Sequence, residues 1–207
     1  LLTYGMPPAL TAATGVDALT HAIESCVSRK ATKLTIDFSL RAAGRLARFL
    51  PVAFASPDDA EARRECLLGS LEAGIAFTNS SVALVHGMAR PLGAKFGIPH
   101  GVSNAVLLEA IMRFSLPGAP ERYARLAEAM GAVPAGTPLE TARAGLGIVS
   151  RLVRELHIPR LRDLLSRDAL DAQLDAMVRE AVASGSPANN PRPASPEEIA
   201  SLYGEAF

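Results

Sequence analysis

Residues Gly15–Ser25 read GVDALTHAIES. Asp17 and His21 stand four apart, so on a helix they share one face, one turn apart. Around them, Val16, Ala18, Leu19, Ala22 and Ile23 make the helix apolar on nearly every side. That is the pattern of a helix sunk in a core, not of one lying on a surface. A carboxylate buried there needs a partner charge or a metal. The stretch therefore predicts a buried helix carrying a cation-binding pair.

The same helical habit runs outward through the chain of 207 residues. Ala, Leu, Arg and Glu dominate, and long alternating β-branched runs are missing, so the fold class reads as all-α. Ser56-Pro57-Asp58-Asp59 offers a cap, a first-turn proline and two acids. Thr137-Pro138-Leu139-Glu140 and Ser195-Pro196-Glu197-Glu198 fit the capping box. The pattern predicts helices over 14–28, 36–49, 58–77, 81–92, 103–114, 120–130, 138–156, 168–183 and 196–207, in one domain covering residues 1–207. Gly93 is expected to end the fourth of them. The loop SGSPANNPRPAS, residues 184–195, is long enough to lie across the surface as a strap. Gly145-Leu146-Gly147 falls inside a predicted helix with no strand before it, and reads as helix packing.

Composition excludes several function classes. Hydrophobic residues are 49% and charged residues 20%, which suits a globular chain with a sizeable core. Lys+Arg and Asp+Glu are both 21, for a net charge of +0, so the basic footprint of a nucleic-acid binder is missing. No apolar run reaches the roughly 18 residues that span a bilayer. The opening LLTYGMPPAL has no basic segment of the signal-peptide kind, and reads as the interior of a longer polypeptide cut between domains. Cys26 and Cys66 form neither a CxxC pair nor a disulfide framework. Both are expected to be buried as small apolar residues in a reducing, cytoplasmic setting.

The four histidines separate by their neighbours. His86 lies in SVALVHGMARPLG and His100 in FGIPHGVSNA. Each precedes a glycine, where a missing Cβ lets backbone or ligand come close. His86 belongs to a second apolar helix, and His100 stands near the start of a third. Together with Asp17 and His21 they make a candidate His₃Asp centre, whose imidazole and carboxylate donors suit divalent iron or zinc. His157, in RELHIPRL at a predicted helix end, reads as a surface or capping residue.

GVDALTHAIES followed by VHGMARPLGAKFGIPHGVSNA resembles the metal-binding signature of the iron-containing (group III) alcohol dehydrogenase family. TAATG at the start, and LHIPRLRDL and NNPRPAS near the end, extend the resemblance across the chain. It implies the multihelical C-terminal domain of the dehydroquinate synthase-like fold, with Asp17, His21, His86 and His100 as ligands of Fe²⁺ or Zn²⁺. It also implies hydride transfer between NAD(P) and a small alcohol, aldehyde or ketone. The family's dinucleotide lies on an N-terminal α/β domain with a GGGSxxD-type turn, and these residues contain no such turn. Cleft surface left uncovered favours association, so a homo-oligomer is expected, with no nucleic-acid or membrane partner.

One position departs from the family pattern. A further His often stands four residues after the His86 position and faces nicotinamide and substrate; here it is Arg90. Arginine carries no proton in a relay near neutral pH. Arg90 therefore either pairs a neighbouring acid or binds an anionic group on the substrate or cofactor side. Two other readings stand beside the dehydrogenase. One is a glycerol dehydrogenase or dehydroquinate synthase-like enzyme, whose ligand sets in the family are typically one acid and two histidines. The other is a non-catalytic metal-binding interaction domain.

Overall fold

In the computed structural model, which describes residues 2–207, every stretch predicted as helical is a helix, and no strand occurs among the described residues. The order is α1 (Pro8–Val27), α2 (Lys33–Ala55), α3 (Ala60–Ser80), α4 (Leu84–Phe96), α5 (His100–Ser115), α6 (Pro120–Ala129), α7 (Pro138–Glu155), α8 (Leu161–Leu164), α9 (Arg167–Ala183) and α10 (Pro196–Ala206).

Several boundaries differ from expectation, each for a local reason. Helix α1 begins six residues early, at Pro8, because proline is pre-set for a first turn and its missing N–H costs nothing there. Helix α2 starts at Lys33, capped by reciprocal bonds between Thr32 and Thr35 at 3.2 and 2.8 Å, and runs through Pro51 to Ala55. The cap of α3 is Asp59, not Ser56; its carboxylate accepts from Ala62 N–H at 2.8 Å. Gly93 lies inside α4, which ends instead at Gly97 with φ 66°. Helix α5 starts at His100, directly behind Pro99, not at Ser103. The short α8 went unpredicted. The boxes at Thr137 and Ser195 form as expected.

Helix α1 is the axis of the molecule. It packs on α2, α3 and α5 and also touches α4 and α6. Val16, Leu19 and Ala22 are wholly buried in the apolar cluster that joins these helices. Gly101, at the second position of α5, sits against the Ala13 carbonyl of α1; a Cβ there would lie 2.4 Å from that oxygen. Gly145 in α7 packs on Ala127 of α6 in the same manner. The fold thus uses glycines to bring helix backbones together.

The strap does cross the surface, and it is stapled down. Ser186, Pro187, Asn189 and Asn190 are buried. Asn189 donates to the Val82 carbonyl at 3.1 Å, just ahead of α4. Asn190 donates to Ser115 Oγ at 2.9 Å at the end of α5. The Pro187 ring covers Gly87, where a Cβ would meet it at 2.8 Å. Tyr203 of α10 closes the same side, its hydroxyl donating to the Met88 carbonyl at 2.7 Å.

Cys26 is buried as expected, but Cys66 is only half-buried. Burial pushes their thiols up to about 12 and about 11, which leaves them unreactive. No single helix among the described residues is long and apolar enough to cross a membrane. Leu67, Leu71 and Ile75 of α3 are exposed and, with Leu2, line a groove of about 950 Å³.

Replacing Gly101 with Ala drives a methyl into a backbone oxygen that cannot rotate away. The first turn of α5 must then back off α1. The expected loss is about 1–3 kcal/mol, read as a lower urea midpoint at unchanged slope; an unchanged midpoint would contradict the close approach.

Candidate metal centre

The four predicted ligands converge from three helices. Asp17 and His21 come from one face of α1, with Oδ2 and Nδ1 3.9 Å apart. His86 of α4 brings Nε2 to 3.5 Å from Asp17 Oδ1. His100, the first residue of α5, brings its Nε2 to 3.6 Å from the same oxygen. One donor atom each from Asp17, His21 and His86 lie within 4.8 Å of one another. His100 is the open side of the cluster, with its side chain 51% exposed.

His86 shows how the site is prepared. Its Nδ1 lies 2.7 Å from Glu24 Oε2, while Glu24 Oε1 accepts from the Val85 N–H at 2.6 Å. Glu24 is buried and held at both oxygens, so it takes the Nδ1 hydrogen and turns Nε2 toward Asp17. That Nε2 is buried with no hydrogen-bond partner, since 3.5 Å to Asp17 is too long for a sound bond. A buried, orphaned imidazole nitrogen facing a carboxylate, with two more imidazoles beside it, is a donor set that fits a divalent cation.

The electrostatics agree. Burial opposes charge on His86, but the carboxylates of Asp17 and Glu24 on either side outweigh it and lift the imidazole to about 9. Burial and the neighbouring His86 push His21 down to about 4. Burial raises the Asp17 carboxyl, but the adjacent His86 and the charges of His21 and His100 win, holding it below the usual range. The cluster thus holds positive charge at its centre near neutral pH, where a metal ion would supply the same attraction.

Three residues of the site were not anticipated. Glu24 completes an i, i+4, i+7 series with Asp17 and His21 on one face of α1, a spacing visible in the sequence. Asn104, one turn after His100, donates to Asp17 Oδ1 at 2.6 Å. Phe77 of α3 stacks on His21, with ring centres 4.3 Å apart; no sequence signal marked it. The glycines after His86 and His100 serve protein packing, against Pro187 and Ala13.

Arg90 is exposed and donates to Ser186 Oγ of the strap at 3.1 Å. Among the described residues it makes no ion pair, so the neighbouring acid that one reading supplied is not there. His157 lies apart from the site, exposed and left-handed at φ 53°. Its N–H bonds the Arg154 carbonyl at 3.0 Å while Ile158 N–H reaches Val153 at 3.2 Å, closing α7 as a cap.

The Fe-containing alcohol dehydrogenase family, C-terminal part, matches residues 11–207. The chain belongs to this family. It is 40% identical over 209 residues to 1,3-propanediol dehydrogenase of Klebsiella pneumoniae, covering 100% of this chain and 53% of that protein. It is 42% identical over 206 residues to lactaldehyde reductase of Escherichia coli K12, covering 98% and 52%. The crystal structure of a 1,3-propanediol oxidoreductase superposes with a TM-score of 0.94 at 39% identity, covering 99% of this chain and 53% of that one. The chain spans about half the length of the relatives it matches. The all-helical architecture is that of the iron-containing dehydrogenases' C-terminal part, and these relatives are oxidoreductases of small alcohols and aldehydes by name.

Glu24→Gln keeps the side chain's size but leaves one fewer acceptor for two donors. Its expected effect is a 10- to 100-fold loss of Zn²⁺ affinity, measured by competition with a chromophoric chelator. Unchanged affinity would remove Glu24 from the support of His86.

Proposed function

We propose that this chain is the metal-binding half of an NAD(P)-dependent alcohol dehydrogenase, in which Asp17, His21, His86 and His100 hold Fe²⁺ or Zn²⁺. The observation that carries the reading is the buried His86 Nε2, unbonded and turned toward Asp17 while Glu24 holds the ring's other nitrogen. The substrate is a small alcohol or its aldehyde or ketone. The dinucleotide belongs to an α/β portion of the intact protein outside residues 1–207. The exposed apolar face of α3 supports association of copies or of that portion.

A divalent cation bound at the centre supplies Lewis acidity toward the substrate oxygen, and NAD(P) carries the hydride. The residues contribute charge, direction and dryness. Asp17 brings the anionic donor that imidazoles lack. Glu24 accepts from His86 Nδ1, so the nitrogen that would give up its proton to a cation is the inward Nε2. Phe77 lies flat on His21 and keeps water from that ring. Arg90, one turn along α4 from His86, has a hydroxyl partner and no carboxylate, which supports a role in gripping a carboxylate or phosphate on the substrate or cofactor side. One carboxylate with three imidazoles favours the iron-type enzymes over the glycerol dehydrogenase and dehydroquinate synthase-like reading.

Elemental analysis of the purified protein is expected to find about one Fe or Zn per chain, and none in Asp17→Ala/His86→Ala. A folded protein that takes up neither metal would sink the dehydrogenase reading in favour of an interaction domain. In the intact, NAD(P)-binding protein, Arg90→His is expected to lose any preference for carboxylate-bearing over neutral aldehydes, measured as the ratio of kcat/KM values. A ratio that does not move excludes Arg90 from substrate recognition.

A further inference from the structure

We infer that Asn104 is a positioning residue of the metal centre: its carboxamide nitrogen aims the Asp17 carboxylate and sets the lone pair of His100 inward. The inference rests on the metal-binding reading above and deepens it.

Asn104 sits on α5, one turn after His100, and is fully buried. Its Nδ2 lies 2.6 Å from Asp17 Oδ1 and 3.1 Å from His100 Nε2. A carboxamide has two N–H hydrogens, and these two acceptors use both. An Nε2 that accepts carries no hydrogen of its own, so the neutral His100 ring is protonated at Nδ1 and its Nε2 lone pair points inward at Asn104, beside Asp17. The amide cannot be reversed. Turned over, its carbonyl oxygen would stand 2.6 Å from a carboxylate oxygen with no hydrogen between them.

This orientation has a cost elsewhere. Asn104 Oδ1 is buried with no partner. A side chain kept only for packing gains nothing from such an orphan, and a leucine would fill the same space without one. What the orphan accompanies is the direction of the nitrogen, which joins ligands from two different helices. The two bonds also differ in what they allow. A carboxylate oxygen has two lone pairs, so Asp17 Oδ1 keeps its bond to Asn104 while offering the other pair to a cation. The single lone pair of His100 Nε2 is exchanged outright. Asn104 therefore releases His100 and retains Asp17, and the carboxylate stays aimed.

The test uses Asn104→Leu in the full-length protein, with Asn104→Ser, whose hydroxyl is too short to bridge both ligands, as the second variant. Three quantities are read: Zn²⁺ affinity by chelator competition, the visible absorption of the Co²⁺-loaded protein, and Tm in excess chelator. The expected result is an affinity about tenfold lower and altered Co²⁺ bands, with Tm in chelator unchanged or raised because the orphaned carbonyl has gone. Zn²⁺ affinity and Co²⁺ bands equal to wild type overturn the inference. So does an affinity loss matched by a fall of Tm in chelator, which marks a structural role. A rise in affinity overturns it too, since the amide would then be a competitor of the cation. Wild-type protein that binds no Zn²⁺ defeats the metal-binding reading itself, an outcome separate from any difference between wild type and variants.

Discussion

One carboxylate oxygen organises this molecule. Asp17 Oδ1 has His86 Nε2 at 3.5 Å, His100 Nε2 at 3.6 Å and Asn104 Nδ2 at 2.6 Å. Placing a carboxylate on the most buried helix of an all-helical fold is unfavourable unless neighbouring helices bring compensating groups. Helices α4 and α5 do so, and their approach sets the rest of the packing. Gly101 lets α5 lie directly on the α1 backbone. The turn ahead of α4 is held by the strap and by Ser28, just past the end of α1, whose hydroxyl donates to the Ser80 carbonyl at 2.6 Å.

Within the cluster, neighbouring groups of one chemical type are driven apart. His86 rises to about 9 between two carboxylates, and His21, buried and beside His86, falls to about 4. Two imidazoles whose ring centres are 4.3 Å apart cannot both hold a charge cheaply, so the one with carboxylates on both sides keeps it. Attraction for positive charge is thus concentrated on Asp17, Glu24 and the inward nitrogen of His86, and any cation bound there replaces a proton in the same well.

Much of this was legible beforehand because ligand spacing on helices is periodic. Asp17 and His21 at i and i+4, and two His-Gly steps in apolar surroundings, were enough to nominate all four side chains that meet. Glu24 was equally readable from its place three residues after His21, but an acid at the end of an apolar helix passes easily for a terminal surface residue. Asn104 and Phe77 were harder, since their roles come from α5 and α3 lying against α1, a tertiary fact without a local pattern. Boundaries erred at starts and at stops, and Gly93, expected to end the fourth helix, lies inside α4. Pro51 lies inside α2, which runs on to Ala55 although an interior proline costs a helix about 3 kcal/mol. The absent acid beside Arg90 was a matter of which loop folds over α4, and no spacing rule reports that.

The strap and α10 tie the start of α4 to the far end of the chain. Asn189 pins the Val82 carbonyl across a separation of 107 residues, and Tyr203 reaches Met88 across 115. Each such contact closes a long loop whose entropic cost rises only slowly with its length. Helix α4 is thus held from two sides, by Glu24 of α1, 61 and 62 residues from Val85 and His86, and by the strap. The arm of the centre that α4 carries is therefore braced from the far end of the chain, so a substitution in the strap can disturb that histidine without touching any ligand.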